Sequence, residues 1–69
     1  MIWIIKGSES HEIISANVCH EKDKSELWVT RPNGKNLKVY ENVDVHEVNL
    51  YKEAIDFAIE QGEKAFRID

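Results

Sequence analysis

The segment LWVTRPNGKNLKV, residues 27–39, decides the fold that this sequence can adopt. Two stretches of alternating apolar and polar residues flank a Pro-Asn-Gly turn. In such a turn proline presets φ for the first position, asparagine tolerates the second, and glycine takes the left-handed position that follows. The segment therefore predicts a β-hairpin with a three-residue loop, Pro32 to Gly34.

The length of this loop fixes which residues face each other across the hairpin. A three-residue loop pairs Val29 with Leu37 and Leu27 with Val39, so that apolar side chains meet. A two-residue loop would instead pair Val29 with Lys38 and mix the two faces of the sheet. We therefore expect the longer loop.

The same comparison upstream predicts a four-residue loop over 21–24, which pairs Val18 with Leu27 and Ala16 with Val29. One face of the sheet is then apolar and needs a cover. Its members are Ile14, Ala16, Val18, Leu27, Val29, Leu37 and Val39.

A helix over 50–61 supplies that cover, because apolar residues recur there at helical spacing with charged residues between them. Asn49 is the expected N-cap and Gly62 the expected left-handed residue after the helix. The residues expected to pack on the sheet are Leu50, Tyr51, Ala54, Ile55, Phe57, Ala58 and Ile59.

The whole chain is then an α+β domain spanning 1–69, since so short a chain has room for one domain and shows neither repeat nor linker. We predict an antiparallel four-stranded β-meander with one C-terminal helix packed on one face and a short fifth strand after it. The predicted strands are 2–6, 11–20, 26–31, 36–41 and 65–68.

The N-terminal run of Ile2 to Ile5 stops at Lys6, so it is too short for a signal peptide or a membrane span. Four consecutive apolar residues exceed what one buried sheet face requires. Either this strand is central in the sheet or it is buried in a dimer. The lone cysteine, Cys19, cannot form an internal disulfide, which small secreted domains usually need, so we expect a cytoplasmic location.

Charge is unevenly distributed along this chain of net charge −4. Residues 27–40 carry three basic side chains and no acid, whereas residues 41–63 carry seven acids against Lys52 alone. We expect one basic and one acidic surface.

The sheet face away from the helix holds the candidate binding site. Aromatic rings among hydroxyl, amide and basic groups can anchor a protein partner or stack on bases. The candidate residues on this face and at the hairpin tip are Trp3, Asn17, Trp28, Thr30, Arg31, Lys35, Lys38 and Tyr40. The alternative is that Trp28 and Tyr40 only cover the second side of a thin sheet.

Metal and catalytic chemistry find no support in the sequence. Cys19 and His20 are adjacent in a strand and point to opposite faces, so they can neither ligate one ion nor act as nucleophile and base. Helix carboxylates on the solvent side lack the perturbed environment that acid–base catalysis needs. We expect no enzyme activity, no cofactor, no metal and no small-molecule substrate.

The segment from Glu26 to Glu60, a hairpin with an Asn-Gly turn and then a helix containing Lys52-Glu53-Ala54-Ile55, resembles in layout the arm-type DNA-binding domains of tyrosine recombinases. The resemblance covers about half of the chain and implies a fold only. Those domains are typically basic and the helix here is acidic, so no functional residue is carried over.

The leading hypothesis is a small regulatory or host-interaction module that binds a protein, or a second copy of itself as a homodimer, through the outer sheet face or an edge strand. The alternative is a nucleic-acid-binding module that uses the 27–40 hairpin, with Arg31, Lys35 and Lys38 on phosphates. No membrane contact is expected.

Overall fold

The computed structural model describes residues 1–68, which form two three-stranded sheets and one helix. The elements are β1 (Ile2–Lys6), β2 (Glu9–Ile13), β3 (Ser15–His20), β4 (Ser25–Thr30), β5 (Asn36–Asn42), α1 (Val45–Glu60) and β6 (Ala65–Ile68). The α+β class is confirmed. The four-stranded meander is confirmed only in part, because three strands form it and β1 belongs to the other sheet.

The N-terminal sheet has the order β2-β1-β6, with β1 antiparallel to β2 and parallel to β6. The first strand is therefore central in its sheet. Ile2 and Ile4 point into the core, whereas Trp3 and Ile5 point to the opposite face. The predicted C-terminal strand over 65–68 is confirmed as β6.

The meander sheet has the order β3-β4-β5 and is antiparallel throughout. The single strand predicted over 11–20 is wrong, because the chain bends at Ile14 and passes from one sheet to the other. The Ile14 N–H donates to the Thr30 carbonyl at 2.8 Å, which extends the β3–β4 ladder to the corner. The corner leaves the Ile14 side chain 45% exposed, so its predicted place in the core is also wrong.

Turn chemistry sets the hairpin between β4 and β5 as predicted. The Arg31 N–H donates to the Lys35 carbonyl at 2.8 Å, which closes the three-residue loop, and Gly34 has φ of 86°. Asn33 stabilises the loop by accepting the Lys35 N–H at 2.9 Å. The pairs Thr30–Asn36, Val29–Leu37 and Trp28–Lys38 have the expected register, as have His20–Ser25, Val18–Leu27 and Ala16–Val29 in the upstream hairpin.

A β-bulge changes the register farther along β5. Leu27 faces Tyr40, so the predicted pair of Leu27 with Val39 is wrong, and Val39 is the buried extra residue. Tyr40 then turns toward the helix, where its ring centroid lies 4.6 Å from that of Tyr51. Its predicted position on the outer face is therefore wrong.

The helix begins one and a half turns earlier than predicted. Asp44 is the N-cap and accepts the His46 N–H at 3.0 Å, whereas Asn49, the predicted cap, lies inside the helix. The C-terminal end is as predicted: Gly62 has φ of 72°, and the Glu63 N–H donates to the Ala58 carbonyl at 2.9 Å. This bond satisfies a carbonyl that the last turn of the helix would otherwise leave without a partner.

One core fills the space between the two sheets and the helix. Its buried members are Ile2, Ile4, Ile13, Ala16, Leu27, Val29, Val39, Val48, Ile55, Ala58 and Ile68. Leu37, predicted for the core, is half-buried. Leu50 and Phe57, also predicted for the core, are 46% and 63% exposed. The earlier helix start instead brings Val48 inward, so the buried face of α1 is set by Val48, Ile55 and Ala58.

Candidate functional site

The outer face of the meander sheet brings together most of the predicted site residues. Asn17, Trp28 and Lys38 form one row across the three strands. Thr30 lies in the next row, where its hydroxyl donates to the Asn36 side-chain oxygen at 2.9 Å. Tyr40 lies on the helix side and Trp3 in the other sheet, so neither joins this face.

Two carboxylates share this face and were missed by the sequence analysis. Glu26 is buried and accepts the indole N–H of Trp28 at 3.1 Å. Lys38 Nζ lies 3.4 Å from Glu26 Oε2 and 3.5 Å from Glu41 Oε1, and Lys24 also contacts both acids. We call these four residues, Glu26, Glu41, Lys24 and Lys38, the Glu26 network.

The Glu26 network shifts the ionisation of its members. The hydrogen bond from Trp28, followed by the contacts with Lys38 and Lys24, holds the pKa of Glu26 below its usual range. The hydrogen bond and charge of Lys24 lower the pKa of Glu41, and Glu41 in turn raises the pKa of Lys24. The two carboxylates also compensate the positive charge of Lys38, so the predicted basic surface is reduced to Arg31 and Lys35 at the hairpin tip.

Cys19 lies at the edge of the same face, with Glu21 and Glu26 close to its sulfur. Ligand atoms of these three residues lie within 4.8 Å of one another, and the thiol donates to Glu21 Oε1 at 3.8 Å. Local desolvation and then the charges of Glu21 and Glu26 raise the pKa of the Cys19 thiol. A raised pKa disfavours the thiolate that metal binding and nucleophilic attack both use. His20 points elsewhere, with Nδ1 2.9 Å from the Ser25 hydroxyl.

A second surface forms around Trp3 on the outer face of the N-terminal sheet. Trp3 is 47% exposed and faces away from Ile2 and Ile4. It lines a shallow depression of about 310 Å³ together with Ser10, His11, Glu12, Arg31, Pro32 and Asn33. The corner at Ile14 folds the β4–β5 hairpin tip back toward β1. We call this surface, Trp3 with Glu12 and the Arg31–Asn33 turn, the Trp3 surface.

The sequence analysis included Trp3 among the outward-facing candidates, but on the same sheet face as Trp28. The sequence could not show that Trp3 lies near Arg31, because the two residues belong to different sheets and only the bend at Ile14 brings these sheets together. Trp3 therefore lies beside the hairpin tip, whereas Trp28 contacts the Glu26 network through its hydrogen bond to Glu26.

An open groove of about 780 Å³ lies where the two sheets diverge. It runs between the β1–β2 turn, the Leu37–Val39 part of β5 and the end of β6. Lys6, Lys38 and Arg67 line it together with Glu9. β5 and β6 are each the last strand of their sheet, so each has one backbone edge that no strand within residues 1–68 pairs.

Comparisons of the chain with models of known protein families, with curated proteins and with solved structures gave no match. Over the part of the chain that the structure covers, the helix is neither long nor apolar enough to cross a membrane.

Proposed function

We propose that this protein is a small non-catalytic interaction module that binds a partner protein through the Trp3 surface. The observation that carries the proposal is the position of Trp3. Its ring lies on the uncovered face of a central strand, nearly half exposed, beside Arg31 and Pro32. A large apolar ring held there by a rigid sheet gains free energy when a partner removes it from water.

The composition of the Trp3 surface supports a protein partner. Tryptophan and arginine are the residue types that most often dominate the free energy of protein–protein binding, usually at the centre of the contact with polar groups around them. Here Trp3 and Arg31 share one depression, and Ser10, Glu12 and Asn33 surround them. Ile5 faces the same side as Trp3 and extends the apolar area.

Nucleic-acid binding is the second candidate function. It is favoured by Arg31 and Lys35, neither of which has a carboxylate within 4.0 Å among residues 1–68. Three observations argue against nucleic-acid binding. The charge of Lys38 is compensated by Glu26, Glu12 lies opposite Trp3 on the neighbouring strand, and the net charge of the chain is −4. Nonspecific binding to a polyanion depends on unpaired cations, so we rank this function second.

We place the working compartment in the cytoplasm, because a free, exposed Cys19 is compatible with reducing conditions. Self-association through the Trp3 surface is one form of the same proposal, in which the partner is a second copy of the chain.

Capture of partners by the tagged protein, with nuclease treatment, tests this proposal. We expect wild type and the control Trp28→Phe to retain the same protein, and Trp3→Ser and Arg31→Ala to lose it. Circular dichroism melting checks that each variant is folded. Sedimentation of the wild type shows whether the partner is a second copy.

Two results would contradict the proposal. One is a partner that Trp3→Ser retains undiminished. The other is binding to labelled oligonucleotides at about tens of micromolar in low salt, weakened by Arg31→Ala and Lys35→Ala, which would establish the nucleic-acid function instead.

A further inference from the structure

Helix α1 has two apolar faces, and only one of them is buried. Val48, Ile55 and Ala58 pack into the core. Leu50 and Phe57 are 46% and 63% exposed, although both belong to the same helix. A single exposed apolar residue is common on protein surfaces and needs no explanation. Two large ones on the same face of a helix do need an explanation.

Their spacing places them on one line along the helix. Leu50, Ala54 and Phe57 follow the i, i+4, i+7 pattern, which at about 3.6 residues per turn runs nearly parallel to the helix axis. Ala54 is half-buried between the two larger side chains. Its side chain is the smallest of the three, so it projects less from the helix than Leu50 and Phe57 do. We call these three residues the outer stripe.

Acidic side chains border the outer stripe on both sides. Helical geometry puts Glu47 on one side and Glu53 and Glu60 on the other, and all three are exposed. Lys52 bonds to Asp56 and lies toward the core side of the helix, so it does not offset this charge. The stripe is therefore an apolar line within a negatively charged surface.

We propose that the outer stripe is a docking site for a basic amphipathic helix of a partner protein. A helix face offers side chains and no free backbone groups, so an extended strand would gain no backbone hydrogen bonds there. A partner helix can pack an apolar residue over Ala54, between Leu50 and Phe57, and place basic residues against the three glutamates. This surface is distinct from the Trp3 surface and does not depend on it.

The same charges disfavour a second copy as the occupant. A symmetric contact between two outer stripes would bring Glu47, Glu53 and Glu60 of one copy against the same residues of the other. Like charges placed across an interface cost free energy and suppress that pairing. A basic partner is instead attracted by the three glutamates, and its association rate should fall as salt is added, because salt screens this attraction.

Titration with a synthetic amphipathic helix of leucine and lysine tests the proposal, with a peptide in which glutamate replaces lysine as the first control. Calorimetry measures Kd, and amide chemical shifts locate the contact. We expect the basic peptide to bind and to shift the amides around Leu50 and Phe57. Phe57→Ser and Leu50→Ser should each weaken binding about tenfold or more.

Two matched controls separate this contact from general attraction to an acidic protein. Val43→Ser removes an apolar side chain that is 82% exposed but lies outside the helix, and it should leave Kd unchanged. The pair Glu53→Gln and Glu60→Gln should weaken binding and flatten its salt dependence more than the pair Glu9→Gln and Asp23→Asn, which removes two charges elsewhere.

Three results would overturn the proposal. The first is that the basic peptide does not bind, or binds Phe57→Ser as well as wild type. The second is equal binding of the acidic peptide. The third is a wild-type dimer in sedimentation that Phe57→Ser converts to a monomer, which would assign the outer stripe to a second copy.

Discussion

Glu26 and Glu41 lie directly opposite each other on β4 and β5, and Lys38 lies between them with Nζ 3.4 Å from one carboxylate and 3.5 Å from the other. Like charges facing each other across a sheet are destabilising. Here Lys24 and Lys38 supply the compensating charge, so the stability of the meander sheet depends on the ionisation of the whole Glu26 network.

Acid should weaken the fold through this network. The pKa values of Glu26 and Glu41 are lower in the folded state, so their contribution is complete above the unfolded glutamate pKa of about 4.3. It is lost as pH falls through the lowered folded values. Urea unfolding of wild type and of the double variant Glu26→Gln, Glu41→Gln should differ at pH 7 and converge at a pH low enough to protonate both glutamates in the folded state. An equal difference at both pH values would contradict the prediction.

Two leucines provide a matched test of the core. Leu27 is fully buried, and Leu27→Ala should lower the free energy of unfolding by about 2–5 kcal/mol, enough to unfold a marginally stable domain. Leu50 lies on the outer stripe, and Leu50→Ala should change it by less than about 0.5 kcal/mol. Denaturant unfolding measures both. Similar losses would show that α1 packs through a different face.

The start of the helix can be tested at its two candidate caps. Asp44 accepts the His46 N–H, so Asp44→Ala should cost about 1 kcal/mol of unfolding free energy. Asn49 lies inside the helix, where alanine has the better propensity, so Asn49→Ala should be neutral or slightly stabilising. A larger loss from Asn49→Ala in thermal unfolding would place the helix start at residue 50.

Cys19 should react slowly with alkylating reagents despite its exposure. Its raised pKa reduces the thiolate fraction near neutral pH, and the thiolate is the reacting form. Iodoacetamide should therefore modify the folded protein more slowly than the protein in urea. Glu21→Gln should speed the reaction of the folded protein, while Glu12→Gln should not. A folded rate equal to the unfolded rate would refute this.

The hairpins could be predicted because local turn chemistry determines them. Features that depend on contacts between distant elements could not be predicted. The Pro32–Gly34 loop and the pairing next to it follow from turn preferences and apolar alternation. The bulge at Val39 accompanies the packing of Tyr40 on Tyr51, a contact with the helix that the sequence of the strand alone does not reveal. At the bend two isoleucines, Ile13 and Ile14, are adjacent in the sequence, and only the contact with the second sheet decides that Ile13 is buried and Ile14 is exposed.

Individual residues of the candidate site could be predicted from the sequence, but which of them lie together could not, because that also depends on contacts between distant residues. A charge count over 27–40 finds Lys38 but stops one residue short of Glu26 and of Glu41, which lie beside it in space. Helical spacing placed Leu50 and Phe57 on the core side of α1, which is wrong. It could not show that the helix begins at Val45. With this start Val48 and Ile55 lie on the buried face of the helix, and Leu50 and Phe57 lie on the exposed side.

The parallel pairing of β1 with β6 has a kinetic consequence. Trp3 lies beside Ala65, so during synthesis β1 acquires its second neighbour only after all the residues between the two strands have been made. Until then an isoleucine-rich strand has a free edge, which other nascent chains can pair with. Closing so long a loop also slows folding. The rate at which β6 docks should therefore determine how much newly made protein folds and how much aggregates.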